Sequence, residues 1–110
     1  MERFVKGEVV VFPFPYTNLS ETKKRPALVV AKLKGENIIL AQITTVKRED
    51  EDLVFLSKKD FASGFLKHDS FVMPSIITTA ESSSVLYKVG KIKQEKIKEI
   101  EKKLCEIFTR

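Results

Sequence analysis

Apolar and polar positions along the chain fall into short extended runs first and one helical repeat last. Glu8-Val9-Val10-Val11-Phe12 is β-branched and aromatic, which predicts a strand over residues 7–12. Pro13 and Pro15 should end it, because proline has no N–H to give to a ladder. Residues 15–24, rich in Thr, Asn, Ser, Glu and Lys, read as a loop. Residues 26–33 carry the unbroken run Ala27-Leu28-Val29-Val30, the pattern of a strand buried on both faces. Lys34-Gly35-Glu36-Asn37 has hairpin-turn composition, and residues 38–45 form the returning strand.

Beyond it, residues 47–52 are polar and of mixed sign, the composition of an exposed loop. Residues 53–56 predict a short strand, and residues 58–64 a helical turn stopped by Gly64. Residues 70–79 predict a strand, kinked or at an edge because of Pro74. Residues 84–89 predict the last strand, broken by Gly90. In residues 93–108, Ile97, Ile100, Leu104, Ile107 and Phe108 recur at helical spacing on one face, with Glu99 and Lys103 paired four apart on the other. Short strands followed by a terminal helix argue an α+β domain. The expected form is a small, strongly bent antiparallel sheet or open barrel with the helix packed on it.

Composition narrows this further. A chain of 110 residues that is 43% hydrophobic and 32% charged makes one soluble globular domain, 1–110, with one modest core. No apolar run is long enough to span a bilayer, and the first residues have no signal-peptide pattern. The single cysteine, Cys105, excludes an intramolecular disulfide and a Cys cluster for zinc, so the expected compartment is the cytoplasm. A net charge of +5 favours an anionic partner such as RNA, DNA or an acidic protein, although charge also serves solubility.

Candidate chemistry is sparse. There is no glycine-rich phosphate loop and no nucleophile elbow, and Glu49-Asp50-Glu51-Asp52 lacks the alternation and glycine of a calcium loop. His68, alone between Lys67 and Asp69, reads as a surface residue, and Cys105, on or beside the apolar helix face, as a buried inert thiol. Arg25 at the lip of a strand is a rigid donor fork shaped for phosphate. Taken alone it would be a surface arginine beside Lys23 and Lys24. The hairpin brings Thr44 to the same end, and Thr45 is an equally good hydroxyl that would point to the opposite face.

Lys6-Gly7-Glu8-Val9-Val10, Ser20-Glu21, Arg25-Pro26-Ala27-Leu28-Val29-Val30 and Ala41-Gln42-Ile43-Thr44 together resemble the MazF/PemK family of toxin endoribonucleases. The resemblance extends to the C-terminal helix and is strongest up to Thr44. It implies an SH3-like antiparallel β-barrel with a C-terminal helix. It also implies a toxin of a type II toxin–antitoxin pair that cuts single-stranded RNA without the ribosome, a metal or another cofactor. The 2′-hydroxyl would attack, leaving a 2′,3′-cyclic phosphate and a 5′-hydroxyl. The implied partners are the RNA, an acidic antitoxin protein and a second copy in a homodimer, with no membrane.

Residue by residue, the resemblance places Arg25 and Thr44 in the active site, prefers Thr44 to Thr45, and offers Glu21 or Asp69 as the base. Tyr16, in its loop, is a candidate to stack on an unpaired base, the Lys23-Lys24 pair beside Arg25 suits backbone phosphates, and Ser20, Thr45 and Thr79 are further candidate RNA contacts. The chain departs from the family at Phe12-Pro13-Phe14-Pro15, where an acidic residue usually precedes the proline. It departs again at Ile76 and Thr78, where polar or basic residues are common. A catalytically inactive barrel that binds RNA or protein is the alternative. A relative that poisons DNA gyrase fits less well, because the chain has no Trp at its helical end.

Overall fold

The computed structural model describes residues 4–15 and 21–110. The strands are β1 (Glu8–Pro15), β2 (Thr22–Lys32), β3 (Asn37–Thr44), β4 (Val54–Leu56), β5 (Phe61–Gly64), β6 (Ser70–Glu81) and β7 (Tyr87–Ile92), and the helix is α1 (Gln94–Thr109). They form one seven-stranded antiparallel sheet in the order β4-β6-β3-β2-β1-β7-β5. The strands at its two edges, β4 and β5, are neighbours in sequence, joined through the 3-10 turn Lys58–Asp60. That short link curls the sheet round until its edges face each other. The start of α1 bridges them, with Lys93 N–H on the Asp60 carbonyl and Lys96 Nζ on the Phe55 carbonyl.

The central strands are buried on both sides, as the apolar run in β2 predicts. Val9, Leu28, Ala41, Ile43 and Val72 face the helix, where Ile97 and Ile100 complete the cluster and Leu104 packs against it. Val10, Phe14, Ala27, Val29 and Leu40 face the other way and pack with Phe4, Ile38 and Ala80. Adjacent residues of one strand thus serve opposite cores, which the two-residue period of a strand requires.

Several expectations are corrected. Pro13 and Pro15 lie inside β1, paired with Lys24 and Thr22 of β2, so the loop predicted from Pro15 to Lys24 gives way to strand from Thr22. The Val11 carbonyl accepts the Leu86 N–H, so Val11 turns its backbone groups towards β7. Pro13 and Pro15 turn the same way, at alternate positions beyond the end of β7, where no ladder bond is lost. Pro26 faces Val11 and therefore turns its nitrogen to β3. With no N–H there, the β2–β3 ladder stops at Ala27–Gln42 and the strands part.

Gly64 does not stop a helix, and Gly90 does not break a strand. They lie in β5 and β7, which run so close that a Cβ on Gly64 would sit 2.1 Å from the Val89 carbonyl oxygen. Pro74 bends β6 at a register shift against β3, as predicted. In α1, Lys96 takes Glu99 at 2.9 Å and Lys103 takes Glu106 at 3.3 Å, so the predicted Glu99–Lys103 pair is not made. Cys105 is exposed rather than buried, and Phe108 is 69% exposed, because the packed face of α1 narrows towards its end.

Candidate functional site

The parting of β2 and β3 after Pro26 opens a cleft of about 270 Å³, lined by Lys23, Arg25, Pro26, Ile43, Thr44, Thr45, Val46 and Arg48. Ala27 faces Gln42, so the same register carried two residues further sets Arg25 across from Thr44 on one face of the sheet. Arg25 is half-buried, and its Nη1 donates diagonally to Gln42 Oε1 at 3.4 Å, a long bond. A guanidinium carries five N–H donors, so this contact leaves capacity for an anion. Among the described residues no carboxylate pairs with Arg25 or lines the cleft, and Lys23 and Arg48 add positive charge to its walls.

Thr44 is buried, and its Oγ1 accepts the Val46 N–H at 3.1 Å. Occupied as an acceptor, the hydroxyl keeps its own hydrogen to donate. Thr45 also lines the cleft and is exposed. The site therefore combines a half-buried cation fork, a fixed hydroxyl and two further cations, an arrangement suited to a phosphodiester with charge building on its free oxygens.

The other candidates are spread more widely. Glu21 is exposed, just ahead of β2, and Asp69 is exposed, just ahead of β6. Asp69 stands nearer the centre by register, since Phe71, two residues on, faces Thr44. Lys24 is exposed on the face opposite Lys23 and Arg25. Thr79 is exposed and faces Ile39, about 17 Å along β3 from Thr44, so it stands away from the cleft. Tyr16 and Ser20 lie outside the described residues.

Three contributors had no clear signal in the sequence. Arg48 belongs to the polar run read as a plain exposed loop, and only the fold turns it towards Arg25. Gln42 looked like one more strand residue until its amide met the guanidinium. Phe71, opposite Thr44, stacks at a tilt on Phe55 with centroids 5.6 Å apart, and Phe55 is 46% exposed. An aromatic in a strand reads as core, and only the register shows this pair beside the site.

The loop from Thr45 to Leu53 forms the far wall, and it is more ordered than its composition suggests. Asp52, expected in a solvated loop, is buried and holds Arg110 through both oxygens, at 3.1 and 2.8 Å. That bidentate bond holds the Asp52 carboxyl below its ordinary pKa, with Lys103 adding a smaller attraction against the cost of burial. Among the described residues no group of three His, Cys, Asp or Glu side chains is placed to hold a metal ion.

Residues 5–108 match the family of PemK-like, MazF-like toxins of type II toxin–antitoxin systems. The chain belongs to that family. Its fold recurs in MazF of Deinococcus radiodurans, with a TM-score of 0.77, 16% identity and 100% of both chains covered. It recurs in a mycobacterial endoribonuclease solved with its cognate antitoxin, with a TM-score of 0.75, 16% identity, and 94% of this chain and 93% of that one covered. The Mycobacterium tuberculosis toxin MazF-mt6 gives a TM-score of 0.70 at 16% identity, with 92% of this chain and 95% of that one covered. No curated protein matches this member of the toxin family in sequence. Among the described residues no helix is long and apolar enough to cross a membrane.

Proposed function

We propose that this toxin is an endoribonuclease that cuts single-stranded RNA at the Arg25–Thr44 cleft, without a metal and without the ribosome. The observation that carries the reading is the half-buried Arg25 set across from Thr44 in a cleft walled by cations. The RNA phosphate sits on the Arg25 fork, and the Thr44 hydroxyl donates to one of its non-bridging oxygens. The 2′-oxygen attacks phosphorus in line, the bond to the 5′-oxygen breaks, and a 2′,3′-cyclic phosphate and a 5′-hydroxyl result. The proton lost from the 2′-hydroxyl goes to a base, and one returns to the leaving 5′-oxygen. Charge that builds on the phosphate is met by donors already in place, which is worth about 10²–10³ in rate per donor. Arg25 stays protonated and is not the base. Asp69, closer than Glu21 to Thr44 by strand register, is the better of the two carboxylates for that role.

Lys23, Thr45 and Arg48 hold the flanking backbone, and the Phe55–Phe71 pair offers a face for an unpaired base. The toxin works in the cytoplasm as a homodimer. The neutralising antitoxin carries an acidic segment that competes with RNA for the basic cleft.

The test is an RNA carrying one 2′-deoxy substitution at the mapped cut site, incubated in excess EDTA. The unsubstituted RNA is cut and the substituted one is spared. Cutting of the deoxy substrate would rule out the 2′-hydroxyl route. A second reading, a non-catalytic barrel that binds RNA or protein, draws on the lack of a carboxylate among the described residues that line the cleft. On that reading Arg25→Ala weakens binding modestly, and no substrate is cut.

A further inference from the structure

A line of hydrogen bonds joins the far end of α1 to the wall of the cleft. Arg110, the C-cap of α1, grips the buried Asp52 carboxylate through Nη1 and Nη2 at 3.1 and 2.8 Å. The Asp52 backbone N–H donates to Asp50 Oδ1 at 2.9 Å. The Asp50 backbone N–H donates to the Arg48 carbonyl at 2.9 Å. Three links therefore run from the helix to the backbone of a residue that lines the cleft. Asp50 is held from the side as well, by Ser75 Oγ at 3.4 Å in the bent part of β6.

The part of the wall that faces the cleft has little burial of its own. Val46 is 60% exposed, and Lys47, Arg48 and Glu49 are exposed. A segment with so little burial is easily opened unless polar contacts fix it. Asp52 is buried at the point where those contacts converge, and α1 is seated on the core by Ile97 and Ile100. The helix is thus the firm body and the loop the part being held.

We propose that Arg110 and Asp52 are positioning residues for RNA. Their clamp fixes the Thr45–Leu53 loop so that Arg48 faces the anion held by Arg25. This rests on the reading of the cleft as an RNA-cutting site. Neither residue lines the cleft, so the clamp acts on substrate only through the loop. Lys103 Nζ is 3.8 Å from Asp52 Oδ1 and gives weak support, so it does not replace the bidentate grip.

The experiment compares wild type with Arg110→Gln, Asp52→Asn, the double variant and Arg110→Lys. Hydrogen exchange is followed at the amides of Asp50 and Asp52, with core amides of β2 as an internal check that each variant is folded. Loop amides exchange about tenfold faster in both single variants while β2 is unchanged. In cleavage assays KM rises by about three- to tenfold with kcat within about twofold, which is the mark of a lost contact that holds substrate and transition state alike. The double variant is no worse than either single one, because the two act as a unit. Arg110→Lys recovers part of the loss, since a lysine keeps the charge and gives up the fork. Unchanged loop exchange, or wild-type KM in Arg110→Gln, overturns the inference. Failure of wild type to cut RNA defeats the functional reading instead, and the exchange arm still decides whether the clamp holds the loop.

Discussion

The two strands that carry the site, β2 and β3, are packed at their middles and parted at one end. At the middle, Leu28 and Ala41 lie under α1, while Val29 and Leu40 face the second core, all essentially without exposure. At the parted end, Lys23, Arg25, Thr44 and Thr45 crowd around a cleft, with a long bond from Arg25 to Gln42. The middle repays every residue with burial. The end sets Lys23 and Arg25 on the wall of an open cleft, outside both cores. Side chains that the packing does not explain are where function should be sought. The two regions should therefore respond to mutation in opposite ways.

The largest effect expected is on cleavage. Arg25→Ala should lower kcat/KM by at least about 10³, because it removes the fixed charge that meets the phosphate. The same change should alter the unfolding free energy by under about 1 kcal/mol, since the residue sits outside both cores. Ile100→Ala is the mirror experiment. It should cost about 2–5 kcal/mol in urea unfolding, while the folded fraction cuts RNA at the wild-type rate. A large loss of stability in the first variant, or of intrinsic activity in the second, would break the comparison.

The strand contact at Gly64 sharpens it next. Gly64 has φ +68° and no room for a Cβ against Val89, so Gly64→Ala should lose about 1–3 kcal/mol of stability with little change in KM. Smaller again is the pH dependence of the Asp52 clamp. Its folded pKa lies below the ordinary value of 3.8, so its stabilisation is complete above that pH and fades as pH falls through the lower folded value. The stability difference between wild type and Asp52→Asn should be constant from pH 7 to about pH 5 and shrink below about pH 4. Urea midpoints across that range read it directly. Least of all, Lys6→Ala removes a surface ion pair with Glu101 and should change stability by about 0–1 kcal/mol.

The middle of the sheet was more legible in the sequence than its end. An apolar run such as Ala27-Leu28-Val29-Val30 fits few environments other than a doubly buried strand, and the spacing of Ile97, Ile100 and Leu104 fits only a packed helix face. The prolines were harder. Pro13 and Pro15 are compatible with a strand only on the side where a neighbouring strand is missing, and that depends on where β7 ends. Gly90 reads as a breaker until β5 is seen pressed against it. Arg25 and Thr44 could be singled out as a pair only through the family resemblance, although the hairpin already put them at one end. Arg48, Gln42 and the Asp52–Arg110 clamp needed the fold itself. Asp52 and Arg110 are 58 residues apart, and nothing in a polar loop shows that one of its aspartates will be buried.

Incubating wild type and Arg25→Ala side by side with a long unstructured RNA in excess EDTA tests the central claim most directly. Thermal melts of both proteins should be run from the same preparations. The account predicts discrete fragments with wild type only, and melting curves that nearly superimpose. Equal cutting by the two proteins, or intact RNA with a folded wild type, would contradict it.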